Sequence, residues 1–123
     1  MEKSMLLEVI GDTIKNRIID LLIEGRGMDY TKKDIADSCG ISRPTLYKVL
    51  PKLVKEGAAK PTRKIGRSQL YSLNMDNEKI KALLKLEEFL LKRSFEEKAS
   101  VKKIAREAPA FKEFMRNENV ISR

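Results

Sequence analysis

Two short helical patterns that meet at one glycine, within DIADSCGISRPTLYKVLPKLVKEG (residues 34–57), constrain this chain more than any other feature. Thr31 is placed to cap the first helix, with Asp34 three residues on as a variant capping box, and Ile35, Ala36 and Cys39 fall on its inner side. Gly40 supplies the left-handed residue that ends a helix and permits a sharp turn. Ser42 then caps a second helix, and Pro44 lies in its first turn, where a missing N–H costs nothing. Leu46, Val49, Leu50 and Leu53 form the inner row of that helix, while Lys48, Pro51, Lys52 and Lys55 occupy the opposite side. Pro51 removes the bond to the carbonyl of Tyr47, so a bend is expected there; its outward position makes the bend tolerable.

The spacing has mechanical content. Ala36 must be small where the helices cross, Gly40 makes the turn, and Ile41, Leu46 and Val49 hold the second helix to the core with its far side free. That is a helix-turn-helix pattern.

The flanks extend it. Before the motif, Met5, Leu6, Val9 and Ile10 read as a short helix ending at Gly11. Asp12 is then placed to cap a second one, with Ile14, Ile18, Leu21 and Leu22 on one side before Gly25 and Gly27. After Gly57, two extended segments surround Ile65, Gly66 and Arg67, with Leu70, Tyr71 and Leu73 in the second and Pro61 marking the first as an edge. This basic hairpin has the character of a wing. A long helix starting near Asp76 or Asn77 follows, and Ile80, Leu83, Leu84, Leu86, Leu90, Leu91 and Phe95 cover about half its circumference, with Phe89 outside that arc. That surplus predicts contact with a second copy, joined by Met5, Leu6 and Val9.

The expected organisation is mainly α with a small β-hairpin: a DNA-binding unit over residues 1–75, a dimerisation helix over 76–98, and a helical extension or tail over 99–123. Val101, Ile104, Ala105 and Ala108 continue the helical period, and Pro109 should break it before Phe111, Phe114 and Met115. That end is read as core, interface or a docking tail for a protein partner.

Charge points to the partner. The net charge of +8 is concentrated between residues 31 and 71, where ten bases face three acids. Such a concentration is the footprint of a polyanion-binding surface. The chain has no histidine, which removes the commonest general base and the commonest transition-metal ligand together, so neither catalysis nor a metal or other cofactor is expected. A single cysteine, Cys39, cannot close an internal disulfide, and its inner position reads as packing rather than as a redox switch. There is no leader and no long apolar run, so the expected location is the cytoplasm, at the nucleoid.

EVIGDTIKNRIIDLL, DIADSCGISRPTLYKVLPKLVKEGAA and GRSQLYSL together resemble the ArsR-type winged-helix transcriptional regulators of bacteria and archaea, with MarR-like groups close behind. The resemblance covers about residues 5–93. It implies a symmetric dimer, built from the first and last helices of the domain, that binds operator DNA and usually represses. Many members sense metals; the paired cysteines and interfacial histidines they use are absent here, so metal sensing is not implied.

The second helix of the motif has the cross-section to enter a major groove. Ser42, Arg43, Pro44, Thr45, Tyr47 and Lys48, at its leading end, are the candidate base readers. Arg43 is suited to a bidentate contact with guanine, and Tyr47 or the Thr45 methyl to a thymine methyl. Lys52 and Lys55, further back, and Thr31, Lys32 and Lys33 at the preceding helix are candidate phosphate contacts. Arg63, Lys64, Arg67 and Ser68 on the wing would follow the backbone or enter the adjacent minor groove. The expected function is sequence-specific recognition of double-stranded DNA by a homodimeric repressor. The alternative is a less specific DNA-organising or partition protein, separated by its salt dependence and lack of sequence preference.

Overall fold

The computed structural model describes residues 4–107, with side chains to residue 99. Phe111, Phe114, Met115, the break at Pro109 and the docking tail lie outside the described residues. Packing divides the chain into two compact units, one ending at Glu87 and the other beginning at Glu88.

In the first unit, α1 (Met5–Ile10) is capped by Ser4, and α2 (Ile14–Glu24) by Thr13, whose side chain accepts from the amide of Asn16. Thr13 takes the capping role expected of Asp12, whose carboxylate accepts from Nε and Nη2 of Arg17. Helix α2 turns Ile18, Ile19, Leu22 and Ile23 into the core and leaves Ile14 exposed, a face rotated from the expected one. A two-residue strand, β1 (Tyr30–Thr31), precedes α3 (Lys32–Cys39).

The turn forms as its residues dictate. Thr31 and Asp34 complete the reciprocal capping box, and Gly40 takes φ +66° while the amide of Ile41 bonds back to Ala36. Helix α4 (Arg43–Lys55) starts at Ser42 and continues through Pro51, whose ring is exposed. Leu46, Leu50 and Leu53 are at most 1% exposed and form the centre of the core with Ile18, Leu22, Ile35 and Ala36.

The hairpin becomes part of a three-stranded antiparallel sheet in the order β1, β3 (Ser68–Leu73), β2 (Ala59–Ile65). β2 holds the edge that Pro61 requires, and β1, too short to announce itself, pairs Tyr30 with Tyr71 and Thr31 with Leu70 on the far side of β3. Gly66 and Arg67 make the two-residue turn at the wing tip, with Gly66 at φ +61°.

Asn77 accepts from the amides of Lys79 and Ile80 and so starts α5 (Glu78–Glu107). The helix passes residue 98 without a break and continues to Glu107. Leu6 and Ile80, expected at a dimer interface, are 2% and 1% exposed: they fill this protomer's own core and have no surface left for a partner. Leu83, Leu84 and Leu86 are half-buried against that core. Among the apolar residues that remain exposed are Met5 and Val9 in the first unit and Phe89, Leu91 and Phe95 in the second.

Candidate nucleic-acid interface

Burial of Leu46, Leu50 and Leu53 forces the other side of α4 outward, and Arg43, Pro44, Tyr47, Lys48, Pro51, Lys52 and Lys55 are all exposed. Ser42 and Thr45 are partly committed. The Ser42 hydroxyl accepts from the Thr45 amide at 3.3 Å and lies 2.8 Å from the Thr45 hydroxyl, so its first task is to start the helix. Thr31 is likewise occupied by its cap, leaving Lys32 and Lys33 as the free groups at the start of α3.

The first residue of α3 reaches the first half of α4. The Lys32 ammonium lies 5.1 Å from the centre of the Tyr47 ring, a cation–π contact. Thr31, Lys32, Lys33, Arg43, Tyr47, Arg67, Ser68 and Gln69 line one open groove of about 580 Å³. Residues from α3, α4 and the wing thus converge, although up to 38 positions separate them in the chain (Thr31 to Gln69). Lys52, Lys55 and Lys64 do not line this groove; the first two lie further along α4.

Electrostatics favours a polyanion here. Among the described residues, no carboxylate pairs with Lys32, Lys33, Arg43, Lys48, Lys52, Lys55, Lys64 or Arg67. Glu56, the one acid at the trailing end of α4, bonds to Lys15 of α2, and that bond, with lesser attraction from Lys79 and Lys52, holds its carboxyl below the usual carboxylate range.

Arg63 departs from expectation. Its Nε and Nη2 donate to the two oxygens of Asp29 at 2.9 and 3.2 Å, so its charge is paired with a carboxylate although its side chain remains largely exposed. The Arg63 guanidinium, helped by Thr62, keeps the Asp29 carboxyl below its ordinary pKa. The sequence offered no signal for this pair, since its members lie 34 positions apart. Cys39 is 4% exposed, with its thiol directed at the Arg17 carbonyl, and burial pushes its pKa up to about 11. Both the burial and the raised pKa disfavour the reactive thiolate.

No protein-family model matches the chain, and no curated protein does. Solved structures do. MepR, described as a transcription regulator of a Staphylococcus aureus multidrug efflux pump, matches as a variant bound to an oligodeoxyribonucleotide with a TM-score of 0.60, at 16% identity over 95% of this chain and 83% of that one. The homodimeric winged helix-turn-helix DNA-binding domain of Mb0332 from Mycobacterium bovis matches with 0.52, at 21% identity over 75% and 80% of the two chains.

The fold is a winged helix-turn-helix. NadR, solved in complex with 4-hydroxyphenylacetate, matches it with a TM-score of 0.56, at 24% identity over 89% of this chain and 78% of that one. In that fold α3 and α4 form the helix-turn-helix, and β2 with β3 the wing. No helix among the described residues is long and apolar enough to cross a membrane.

Proposed function

We propose that this chain is a homodimeric, sequence-specific regulator of transcription that binds double-stranded DNA and acts as a repressor on a near-palindromic operator. The observation that carries this reading is the convergence of unpaired cations from α3, α4 and the wing tip on one groove, beside a helix whose other face is locked into the core. Arg43, Tyr47 and Lys48, with Pro44 and the capping residues Ser42 and Thr45, enter the major groove and read bases. Lys32, Lys33, Lys52 and Lys55 hold phosphates, and Lys64, Arg67 and Ser68 follow the adjacent backbone.

Each unit supplies apolar surface for a second copy: the exposed Met5 and Val9 with the partly covered Leu83, Leu84 and Leu86 in the first, and the exposed Leu91 and Phe95 with the partly covered Leu90 in the second. A two-fold dimer sets two recognition helices on half-sites about 34 Å apart. MepR bound to an oligodeoxyribonucleotide and the homodimeric Mb0332 domain support both parts by likeness of fold. The expected location is the cytoplasm, on the nucleoid.

The test is a fluorescence-anisotropy isotherm for DNA upstream of the protein's own gene against a shuffled duplex of equal length, backed by selection from random duplexes. Enrichment of one near-palindrome, bound about a hundredfold or more tighter than the shuffled duplex, is the expected result. Steeply salt-dependent binding without any enriched sequence would favour a DNA organiser. No binding at low salt would remove the DNA reading.

A further inference from the structure

The wing carries an irregularity with a consequence for DNA recognition. Pro61 pairs with Tyr71 and Lys64 with Gln69, so three steps along β2 match two along β3 and a β-bulge falls at Thr62 and Arg63. In a regular strand successive side chains point to opposite faces. Here the Thr62 hydroxyl and the Arg63 guanidinium both reach the Asp29 carboxylate, at 2.8 Å and at 2.9 and 3.2 Å. The Gln69 side-chain amide closes the bulge from β3 by donating to the carbonyls of Arg63 and Leu70, each at 3.0 Å.

Asp29 lies in the segment between α2 and β1, outside the hairpin. Its carboxylate therefore ties β2, at the bulge, to the segment before β1 with three charge-assisted bonds, two of them in the parallel fork that fixes orientation as well as distance.

We infer that Asp29 is a positioning residue for the wing: through the bulge at Thr62 and Arg63 it sets the wing's placement, and it withholds the Arg63 charge from DNA. This rests on the DNA-binding reading for its functional half. Three cations, Lys60, Lys64 and Arg67, remain without a carboxylate partner among the described residues of the wing. Phosphate attraction is blind to base sequence, so holding Arg63 back limits the wing's contribution to indiscriminate binding.

Two measurements on the full chain test the two halves. In DNA-free protein, Asp29→Ala should accelerate amide hydrogen exchange across residues 59–65; unchanged exchange there overturns the brace. For DNA, Arg63→Ala should leave the slope of log affinity against log salt as in the wild type, because the charge is already withheld. Asp29→Ala should steepen it by about 0.9 for each protomer and reduce the preference for operator over shuffled duplex. A slope made shallower by that amount in Arg63→Ala would show Arg63 leaving Asp29 for a phosphate and overturn the inference. If wild-type protein bound no duplex at all, the DNA reading would fall, and hydrogen exchange would still decide whether Asp29 braces the wing.

Discussion

Replacing Arg67 by alanine gives the most direct measure of how the interface works. Arg67 is exposed in a two-residue turn at the wing tip, lines the basic groove, and has no carboxylate partner among the described residues, so its loss should leave the fold intact. In a homodimer the substitution removes two phosphate contacts, which should shallow the salt slope by about 1.8. Between about 50 and about 200 mM salt, the wild-type advantage over the variant should then shrink about twelvefold. Anisotropy titrations on operator and shuffled duplex at four salt concentrations would measure this, and the deficit should be alike on both. Arg43→Ala should behave differently, losing about 1 to 3 kcal/mol for each bidentate guanine contact on the operator while the shuffled duplex is affected far less. An unchanged slope for Arg67→Ala, or the same pattern of loss in both variants, would refute the assignment of sequence to α4 and affinity to the wing.

The double substitution Leu91→Glu with Phe95→Glu should yield a folded monomer by sedimentation, since burying the exposed parts of both side chains in two copies amounts to about 4 to 8 kcal/mol; a persisting dimer would place the interface elsewhere. Gly25→Ala should lower the melting temperature, with a cost of about 1 to 3 kcal/mol, because a Cβ there would lie 1.7 Å from the Tyr30 hydroxyl and the half-buried ring must move; an unshifted melt would show that the ring yields freely. Asp20 is 7% exposed, one of its oxygens has no hydrogen-bond partner, and burial raises its pKa, so its charge penalises the folded state increasingly as pH climbs from the unfolded value through the folded one. Asp20→Asn should accordingly stabilise the protein at neutral pH and lose that advantage near pH 3, and a pH-independent difference in melting temperature would contradict it. Cys39 should resist alkylation in the native protein at about pH 8 and react only on unfolding; rapid labelling of folded protein would show it exposed or activated.

The helix-turn-helix was legible in the sequence because its signals are local. Thr31 with Asp34, Gly40, and Ser42 with Pro44 each fix backbone geometry within a few residues, and the α4 row needs only the helical period to show which side is buried. What the period does not specify is the surface an apolar row will meet. Leu6 and Ile80 carry the pattern of an interface residue and of a core residue equally well; only the packed chain shows that they close the protomer's own core. The same limit applies to α2, where Ile14 and Ile18 are indistinguishable in pattern but differ in exposure.

At the candidate interface the limit is charge pairing. Arg63, Lys64 and Arg67 are equivalent as basic residues in a hairpin, yet a bulge and a carboxylate from another segment convert one of them into a brace. Glu56 offers the complementary case, since Lys15 from α2 takes the ion pair with the acid that follows Lys52 and Lys55 in the chain. In both cases a pair formed across distant segments determines which charges stay available, one by securing a cation and the other by securing an anion. The basic excess in the sequence therefore locates the binding surface, whereas the division of roles within it depends on a few long-range pairs. A pair such as Asp29 with Arg63 alters the field felt by a polyanion as directly as deleting a surface lysine, while also holding the wing in place.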